Sequence, residues 1–583
     1  MNRLRTLARA GAGAATGRVT ALLRPARTRD EFWTRLTLGL LLVGAVLVLL
    51  TFRSYGVTWD EDMQRWYGDM VLDHYLSLLG LAHPPNWQLL YYYADLYNYG
   101  AVFDLFASAL SGVSPLGAFE TRHLFNGVVG LVGILGSWKL GRRLGGARAG
   151  FIAALFLLLT PNYYGQMFNN PKDVPFAVGC IWATYYLIRL IPALPRPQPR
   201  LVVKLGAAAG LAMAVRIGGL LLLCYLGLLL SLFGLWQAAA ARRLGLLLTI
   251  GWTVFWRVFL PVATIAYAVM LAFWPWAQSD PIGHPLSALA VFSHEIVPTR
   301  ILFDGELLSA YALPWTYLPT YIALALPELI LALLLAAPIV GAAALARRRG
   351  GERDRVLALL ILGFTIVFPV VYAIAVKAVL FNGMRHFIFV LPSVAVAAAL
   401  VAESALRRLA EFPYRRPVYA ALGFYGLAHL SIMVMLHPDE YVYYNGFVGG
   451  VAGAENKFKL DYWANSYAEA VRGLENYLRK QYGADFEERD FTVAVVGPPV
   501  SARYYFPANF RQVTDPKDAD FVIGFTLDDA DHYLTDLPII RVKRMGALLS
   551  VVVDHREFLA EERIARQPLA GALLRRPATF TYR

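Results

Sequence analysis

The stretch LTLGLLLVGAVLVLLTFRSYGVTWDED, residues 36–62, decides the fold class of this chain. Its first part, residues 36–53, is an apolar run of the length with which a helix crosses a hydrocarbon core of about 30 Å. The acidic triplet Asp60-Glu61-Asp62 follows after a short aromatic connection. The stretch therefore predicts a membrane-spanning helix with an acidic cluster just beyond its end.

The rest of the chain repeats the apolar pattern. Of its 583 residues, 57% are hydrophobic and 16% are charged, whereas soluble domains carry about 25% charged residues. The apolar residues gather in long runs, which predicts a polytopic α-helical membrane protein. About eleven transmembrane helices are expected, at roughly 36–53, 123–140, 148–165, 173–192, 203–217, 219–237, 250–273, 317–346, 355–379, 387–406 and 417–436.

Basic residues predict the orientation. The formal net charge is +13, and the arginines and lysines cluster in the short loops between the runs, as the positive-inside rule requires of cytoplasmic loops. The basic N-terminus, residues 1–35, is expected in the cytoplasm, with the first span a retained anchor. We expect no nucleic-acid partner. The segments expected on the non-cytoplasmic face are 54–122, 169–173, 274–316, 381–386 and the tail from 437.

Two of these outer segments have predicted structure of their own. In the loop 54–122, amphipathic stretches at 63–79 and 97–110 suit helices that lie along the membrane interface. Tyr91-Tyr92-Tyr93 is either part of an interfacial aromatic belt or a surface on which a sugar stacks. The tail, residues 437–583, predicts a small α/β domain that follows the membrane domain 36–436. Its expected elements are a helix over 465–481 and strands at 491–496, 521–525 and 539–553, the last a hairpin turning near Met545-Gly546.

The acidic triplet admits two interpretations. In the first, Thr58 or Asp60 caps a solvated helix whose first turn favours acidic residues. In the second, a carboxylate at the membrane rim acts as a general base, or Asp60 and Glu61 hold a divalent cation such as Mg²⁺ or Mn²⁺. Asp62 is expected only to start the helix.

A second ionisable group lies in Asn170-Pro171-Lys172-Asp173-Val174-Pro175. An ionisable side chain at the start of a span is costly and calls for a partner, so Lys172 and Asp173 are expected to share a site with Asp60. Arg216 and Arg385 depart from the positive-inside pattern, and a guanidinium binds phosphate through two parallel hydrogen bonds. His386 is a weaker candidate, whether for a metal or for substrate.

Acids, cations and aromatic rings on one face suit one reaction class. A carboxylate can deprotonate an acceptor hydroxyl, cations can stabilise a departing phosphate, and aromatic rings can stack on a sugar. The combination predicts glycosyl transfer from a lipid-phosphate sugar.

The same residues resemble the type-C membrane glycosyltransferases, in particular the branch of the protein O-mannosyltransferases and the lipid A aminoarabinose transferases. The Asp60-Glu61 pair after the first span is similar to the acidic motif of that group. The other matching segments are His123-Leu124-Phe125-Asn126, Lys139-Leu140-Gly141-Arg142-Arg143-Leu144, Asn170-Pro171-Lys172-Asp173, Pro314-Trp315-Thr316-Tyr317-Leu318-Pro319, Arg385-His386-Phe387, Tyr443-Tyr444-Asn445 and Asp461-Tyr462-Trp463.

The resemblance implies an inverting transferase in the bacterial cytoplasmic (inner) membrane, with a periplasmic or extracellular tail. The donor would be a polyprenyl-phosphate sugar, and the acceptor a lipid, glycan or protein. No cofactor is implied with certainty, and dependence on the divalent cation considered above is left open. One departure concerns the acceptor, since the aminoarabinose branch has Lys-Pro-Pro where this chain has His83-Pro84-Pro85. The implied roles are base for Asp60, shaping of the site for Glu61 and Asp173, phosphate binding for Lys172, Arg216 and Arg385, and substrate binding for Tyr67, Tyr317 and His386.

Two other function classes are compatible with the sequence. A transporter or flippase for a lipid-linked sugar would place ionisable residues at the bilayer midplane and often shows paired halves. Here the acids gather at one face and no such repeat is evident, which favours the enzyme. A non-catalytic assembly or binding protein is the third possibility.

Overall fold

The computed structural model describes residues 28–87, 95–294, 300–346, 353–526 and 538–556. The tyrosine triplet at 91–93 and most of the basic N-terminus lie outside these residues. Up to residue 294, the regular elements of the described residues are all helical. Its helices are α1 Arg29–Thr51, α2 Trp59–Leu78, α3 Val102–Ser111, α4 Ala118–Gly145, α5 Ala147–Leu158, α6 Pro161–Asn169, α7 Asp173–Leu190, α8 Pro199–Met213, α9 Leu221–Ala241, α10 Leu246–Val254, α11 Leu260–Ala272, α12 Pro275–Ser279 and α13 Gly283–His294.

The second half begins with a small hairpin and ends in a sheet domain. The hairpin is β1 Arg300–Phe303 with β2 Glu306–Ser309, and a 3-10 turn, Arg385–Val390, leads into α17. The remaining elements are α14 Tyr317–Ala325, α15 Glu328–Ala346, α16 Arg353–Ala375, α17 Leu391–Leu409, α18 Arg415–Leu436, α19 Gly450–Ala454, α20 Tyr467–Tyr482, β3 Phe491–Val495, α21 Pro499–Arg503, β4 Phe510–Val513, β5 Phe521–Phe525, β6 Pro538–Arg544 and β7 Ala547–Asp554.

Eight helical segments within the described ranges are long and apolar enough to cross a membrane. The expectation of a polytopic helical membrane protein is thereby confirmed. The eight segments are Arg29–Thr51, Ala118–Gly145, Asp173–Ala193, Ile217–Ala241, Leu246–Ala272, Arg353–Ala375, Arg385–Leu409 and Arg415–Leu436. The expected count of eleven stays a prediction, because the other three runs form shorter helices.

Local chemistry explains why two of those three runs are divided. The run 148–165 is divided after Leu158, and Pro161 starts the next helix, where its missing N–H costs nothing. The run 317–346 is divided at Leu326, which is extended because the residue before a proline disfavours the helical conformation. The third, α8, has 15 residues.

The site-bearing helices lie at the centre of the helical bundle. The spans that begin at Asp173 and Arg385 are the most enclosed of the eight, with 72% and 83% of their apolar windows buried. α4 packs closely against its neighbouring helices at glycine positions. A Cβ at Gly133 would lie 2.1 Å from Tyr163 Oη, and that hydroxyl donates to the carbonyl of Gly130 at 2.9 Å. Glycines on α4 thus let α6 and α7 approach it closely.

The loop 54–122 contains both predicted amphipathic helices. α2 covers the expected stretch 63–79, whereas α3 begins at Val102, later than the expected 97. The reason is that the preceding backbone binds elsewhere: the N–H of Ala101 donates to Phe273 O at 3.0 Å and that of Val102 to Ala214 O at 3.2 Å. Gly100 has to be a glycine, since its Cβ would lie 2.2 Å from Ala214 O.

The tail forms a five-stranded sheet in the order β4-β3-β5-β7-β6. β3 pairs in parallel with β4 and β5, and β7 pairs antiparallel with β5 and β6. α20 packs on one face, where Leu474 and Leu478 join Val493, Phe521 and Val552 in the core. The predicted helix, strands and terminal hairpin are present. The four-residue strand β4 was not predicted.

Candidate functional site

The acidic triplet begins α2, and its members have different partners. Thr58 precedes the helix, and its N–H donates to Glu61 Oε2 at 2.9 Å. Asp62 is a surface residue that pairs with Arg65 at 3.3 Å. Glu61 is therefore explained as a capping residue of α2, and Asp62 as a solvent-exposed residue of its first turn. Asp60 is left for another role.

Glu61 is sealed inside the protein. Its side chain is 1% exposed and its Oε1 lies 3.0 Å from His123 Nε2 on α4, while His123 Nδ1 lies 3.3 Å from the carbonyl of Phe52. The pair joins α2 to α4 and has no surface to offer a substrate. Glu61 was predicted to support the reaction, but its buried side chain does not reach the surface where a substrate could bind.

Asp60 belongs to a continuous ionic network with Asp173. Arg385 donates through Nη2 to Asp60 Oδ2 and through Nε to Asp173 Oδ2 at 3.2 Å. Arg216 Nη2 lies 2.5 Å from the other oxygen of Asp173. Arg385 and Asp173 are about 5% exposed, whereas Asp60 retains 21% exposure and Arg216 17%. The network is thus buried at its centre and accessible at both ends. We refer to these four residues as the ionic network.

Four chain segments meet at the ionic network. Asp60 lies in the first turn of α2, Asp173 begins α7, Arg385 begins the 3-10 turn before α17, and Arg216 follows α8. Asn170 holds the start of α7: its Nδ2 donates to Asp173 Oδ2 at 2.9 Å and its Oδ1 accepts from the N–H of Asp173 at 2.9 Å. The asparagine therefore fixes the direction of the Asp173 carboxylate.

Lys172 adds a fifth ionisable group. Its Nζ lies 4.8 Å from the centre of the Tyr99 ring, over which Arg216 also lies at 5.5 Å. With the amide of Gln64 oriented to donate to Asp104 at 3.0 Å, its oxygen accepts from Lys172 Nζ at 3.2 Å. A cation on an aromatic face is attracted by the ring quadrupole. Tyr99 thus joins two of the predicted phosphate contacts.

Burial and neighbouring charges shift the pKa values of Asp60 and Lys172. Burial raises the pKa of Asp60, but the nearby charges of Arg385 and Lys172 outweigh it and bring the pKa below its ordinary value. Burial lowers the pKa of Lys172, and Arg385 and Arg216 lower it further against the opposing effect of Asp60. Asp60 is accordingly a carboxylate at neutral pH, and Lys172 is an unusually acidic ammonium group.

The aromatic residues predicted to bind substrate are not arranged as expected. Tyr67 is 1% exposed and its hydroxyl donates to Tyr99 O at 2.7 Å. Tyr317 is also 1% exposed and packs against Phe303 and Tyr321. Both side chains lie in the core, where burying an aromatic ring stabilises the fold. Substrate binding by Tyr67 and Tyr317 stays a prediction, and neither ring is exposed in this structure.

His386 lies beside the ionic network, half-buried and edge-on to Phe381 at 4.6 Å between ring centres. A residue that was not predicted also contacts the ionic network. Trp463, from the tail, places its ring 4.9 Å from the Arg385 guanidinium. Its segment had been noted only for its resemblance to the family, since nothing in the sequence pairs residue 463 with residue 385.

A metal site at Asp60 and Glu61 has little support from the donors present. Asp60 pairs with Arg385, and Glu61 pairs with His123 and Thr58. Within the described part of the chain, no three His, Cys, Asp or Glu side chains converge as metal ligands. The five ionisable residues Asp60, Lys172, Asp173, Arg216 and Arg385 form a site that can accept a proton and hold an anion.

Known proteins resemble this chain in sequence and in fold. Residues 121–276 match the family model described as dolichyl-phosphate-mannose-protein mannosyltransferase, a segment that includes Lys172, Asp173 and Arg216. The match confirms the resemblance to membrane glycosyltransferases. No protein among the curated sequences matches the chain.

Solved structures of similar shape include two transferases. ArnT from Cupriavidus metallidurans bound to undecaprenyl phosphate is 15% identical, covering 89% of this chain and 98% of its own, with a TM-score of 0.47. The Archaeoglobus fulgidus oligosaccharyltransferase in the apo form is 12% identical, covering 83% of this chain and 65% of its own, with a TM-score of 0.43. At these values the likeness says nothing about substrate.

Proposed function

We propose that this chain is an inverting glycosyltransferase that moves a sugar from a polyprenyl-phosphate donor to an acceptor hydroxyl. The reaction would take place on the non-cytoplasmic face, with Asp60 as the general base. The observation that supports this most directly is the ionic network, in which one guanidinium links two carboxylates and a second guanidinium and a lysine lie beside them.

The cations suit the charge that develops on the leaving group. A polyprenyl-phosphate sugar is a phosphodiester with one negative charge, and breaking the bond from the anomeric carbon to oxygen leaves a phosphate with a second. Lys172, Arg216 and Arg385 lie where they can bind that charge. Preorganised donors of this kind contribute about 3–4 kcal/mol each when removed singly.

Asp60 suits the other half of the reaction. Its partly exposed carboxylate is ionised at neutral pH and can accept the proton of an acceptor hydroxyl as that oxygen attacks the anomeric carbon. Attack from the side opposite to the phosphate inverts the anomeric configuration. When Arg385 turns to the donor phosphate, Asp60 loses its strongest cationic partner and becomes a stronger base.

We propose further that the phosphate is held by these cations and does not depend on a divalent metal. The oxygens of Asp60 and Glu61 already have protein partners, as described above. We expect transfer to continue at an unchanged rate in excess EDTA. Loss of activity with EDTA, restored by Mg²⁺ or Mn²⁺, would show that a cation is required.

The test of the base is Asp60→Asn in purified protein reconstituted in liposomes. Removing a positioned general base lowers kcat by about 100-fold to 10,000-fold, measured as sugar transferred from polyprenyl-phosphate donor. Asp62→Asn is the matched control, since Asp62 lies in the same turn and pairs only with Arg65 at the surface. Equal rates for the two variants would contradict the assignment.

The same liposomes separate the enzyme from the alternative. A flippase would move the labelled lipid-linked sugar between leaflets without forming a glycosylated acceptor. Topology is tested by fusing a reporter that is active only outside the cytoplasm after residue 556, which is expected to be active. An inactive reporter there would place the tail in the cytoplasm and contradict the proposed side of the reaction.

A further inference from the structure

One buried asparagine of the tail contacts both loops that lead into the ionic network. Asn465 Oδ1 accepts from the N–H of Gly56 at 2.7 Å and from Asn169 Nδ2 at 2.9 Å. The Thr58 hydroxyl lies 3.2 Å from the carbonyl of Asn169 and donates to it. Gly56 leads into α2 and Asp60, and Asn169 is the last residue of α6 before Lys172 and Asp173. A single oxygen therefore ties together the segments that carry the base and the phosphate contacts.

The approach of Asn465 to the first loop leaves no room for a side chain. A Cβ on Gly56 would lie 2.2 Å from the carbonyl oxygen of Asn465. Real Cβ atoms do not come so close to backbone, so the glycine is required by the docked tail and not by its own conformation. The hydroxyl of Tyr505, also from the tail, accepts from the N–H of Val57 at 3.1 Å.

The direction of the Asn465 amide is set from within the tail. Its Nδ2 donates to Asp439 Oδ1 and, at 3.3 Å, to the carbonyl of Pro438. Arg544 on β6 holds the other oxygen of Asp439 at 2.9 Å. The backbone N–H of Asn465 donates to Asp461 at 3.0 Å. Its amide nitrogen thus faces the domain, and its oxygen faces the loops.

We propose that Asn465 is a positioning residue, which sets the spacing of the two loops and so makes the tail domain part of the transferase site. This inference rests on the proposed function for its kinetic consequence. A misplacement of about 1 Å in a reacting group can lower a rate by about 100-fold. Losing both contacts of the amide oxygen leaves the two loops held by the hydrogen bond from Thr58 to Asn169, and we expect them to shift by a distance of this order.

The experiment compares Asn465→Leu with Asn509→Leu. Asn509 is also a buried asparagine of the tail domain, and its amide binds the carbonyls of Phe486 and Arg489, away from the loops. Both variants lose two hydrogen bonds that the amide nitrogen donates within the tail domain, and Asn465→Leu also loses the two that its oxygen accepts from the loops. We expect Asn465→Leu to lower kcat by about 100-fold with little change in donor KM, and Asn509→Leu to stay within threefold of the unmodified protein at equal folded fraction. Equal losses of kcat would overturn the proposal.

Asn465→Asp provides a rescue that depends on pH. The new carboxylate keeps an acceptor for Gly56 and Asn169 but faces Asp439, so the two acids must share a proton. We expect kcat of this variant, divided by that of the unmodified protein at the same pH, to rise as the pH is lowered from 8 to 6. Absence of that rise would contradict the positioning role. The charged and titratable groups facing the pair are Tyr55, Asp461, Glu440, His437, Tyr441, Arg544 and Glu469.

Amide hydrogen exchange separates this inference from the proposed function. In Asn465→Leu, exchange should rise at residues 56–58 and 169–170, and in Asn509→Leu only within the tail domain. If exchange rises at these loops in Asn465→Leu but the unmodified protein transfers no sugar, the positioning role is retained and the proposed function is contradicted. Unchanged exchange at both loops would contradict the positioning role whatever the activity.

Discussion

Asp60 and Glu61 are neighbours in sequence with opposite surroundings. Asp60 is partly exposed and lies against a guanidinium, whereas Glu61 is enclosed and lies against an imidazole. Because the two side chains leave a helix about 100° apart, one faces the site and the other faces α4. The sequence predicts both acids as a unit, and only the surrounding elements distinguish them.

Glu61→Ala should therefore lower stability and spare the chemistry. It leaves His123 buried without its partner, and breaking a buried pair costs about 3–5 kcal/mol. We expect a lower midpoint of thermal unfolding in detergent, with kcat within tenfold of the unmodified protein where both are folded. A 100-fold loss of kcat at unchanged stability would instead assign Glu61 to the reaction.

The pH dependence of the free protein should show the shifted pKa values of Lys172 and Asp60. Because the pKa of Lys172 is lowered, kcat/KM for the donor should decline at a pH below the ordinary range of lysine, about 10.4. The acid limb should fall only below the usual pKa of an aspartate, about 3.9. Lys172→Arg keeps its charge at high pH, so its alkaline limb should move upward. An unmoved limb would exclude Lys172 as its source.

At the scale of the element, the helices were predictable and their interruptions less so. Apolar runs predict spans directly, and the amphipathic stretches 63–79 and 465–481 correspond to α2 and α20. The late start of α3 depends on Ala101 and Val102 binding the distant carbonyls of Phe273 and Ala214. No local pattern encodes such a partner.

The glycines of α4 offer a test at this scale. Gly133→Ala would place a methyl group 2.1 Å from Tyr163 Oη and 3.0 Å from Val178. We expect a loss of about 1–3 kcal/mol in the free energy of unfolding, because overpacking forces its neighbours to move. Gly39→Ala on α1 is the control, since nothing lies within 4 Å of its Cβ position. Thermal unfolding in detergent measures both, and similar midpoints would contradict the close packing of α4.

At the scale of the whole molecule, a buried cluster of charged residues lies in the tail domain where it meets the membrane domain, since the Tyr55 hydroxyl donates to Glu440 Oε2 at 2.9 Å. Asp439 is enclosed, and burial together with Asp461 and Glu440 raises its pKa despite the opposing charge of Arg544. A carboxyl whose pKa is higher in the folded protein than in the unfolded chain holds its proton longer when folded. Its contribution to stability is therefore present at low pH and is lost as the pH rises.

We therefore expect the free energy of unfolding to decrease as the pH rises above about 4, the ordinary pKa of an aspartate. Asp439→Asn removes the titration and should flatten that dependence, measured as the unfolding midpoint at successive pH values. Asp518→Asn, on an exposed turn of the same domain, should leave the slope as it is. An unchanged slope in Asp439→Asn would show that other groups determine it.

The site as a whole was predictable in its composition and not in its assembly. Asp60, Lys172, Asp173, Arg216 and Arg385 were identified from charge near span ends, and the structure brings them together. Trp463 and Asn465 were not identified as site residues, since their partners lie far away in sequence. The burial of Tyr67 and Tyr317 could not be predicted, because an aromatic residue between two spans has the same sequence pattern whether it lies in the core or at a surface.

The contact between Gly56 and Asn465 joins residues 409 positions apart, and it has a consequence for how the protein is made. A ribosome synthesises Asp60, Lys172 and Arg216 long before it reaches Asn465. During that interval, the nascent chain can enter the membrane with its acids and cations still unaligned. The enzyme would thus acquire its activity only when the tail domain has been translated and folded. Incompletely synthesised chains would then not consume the donor lipid.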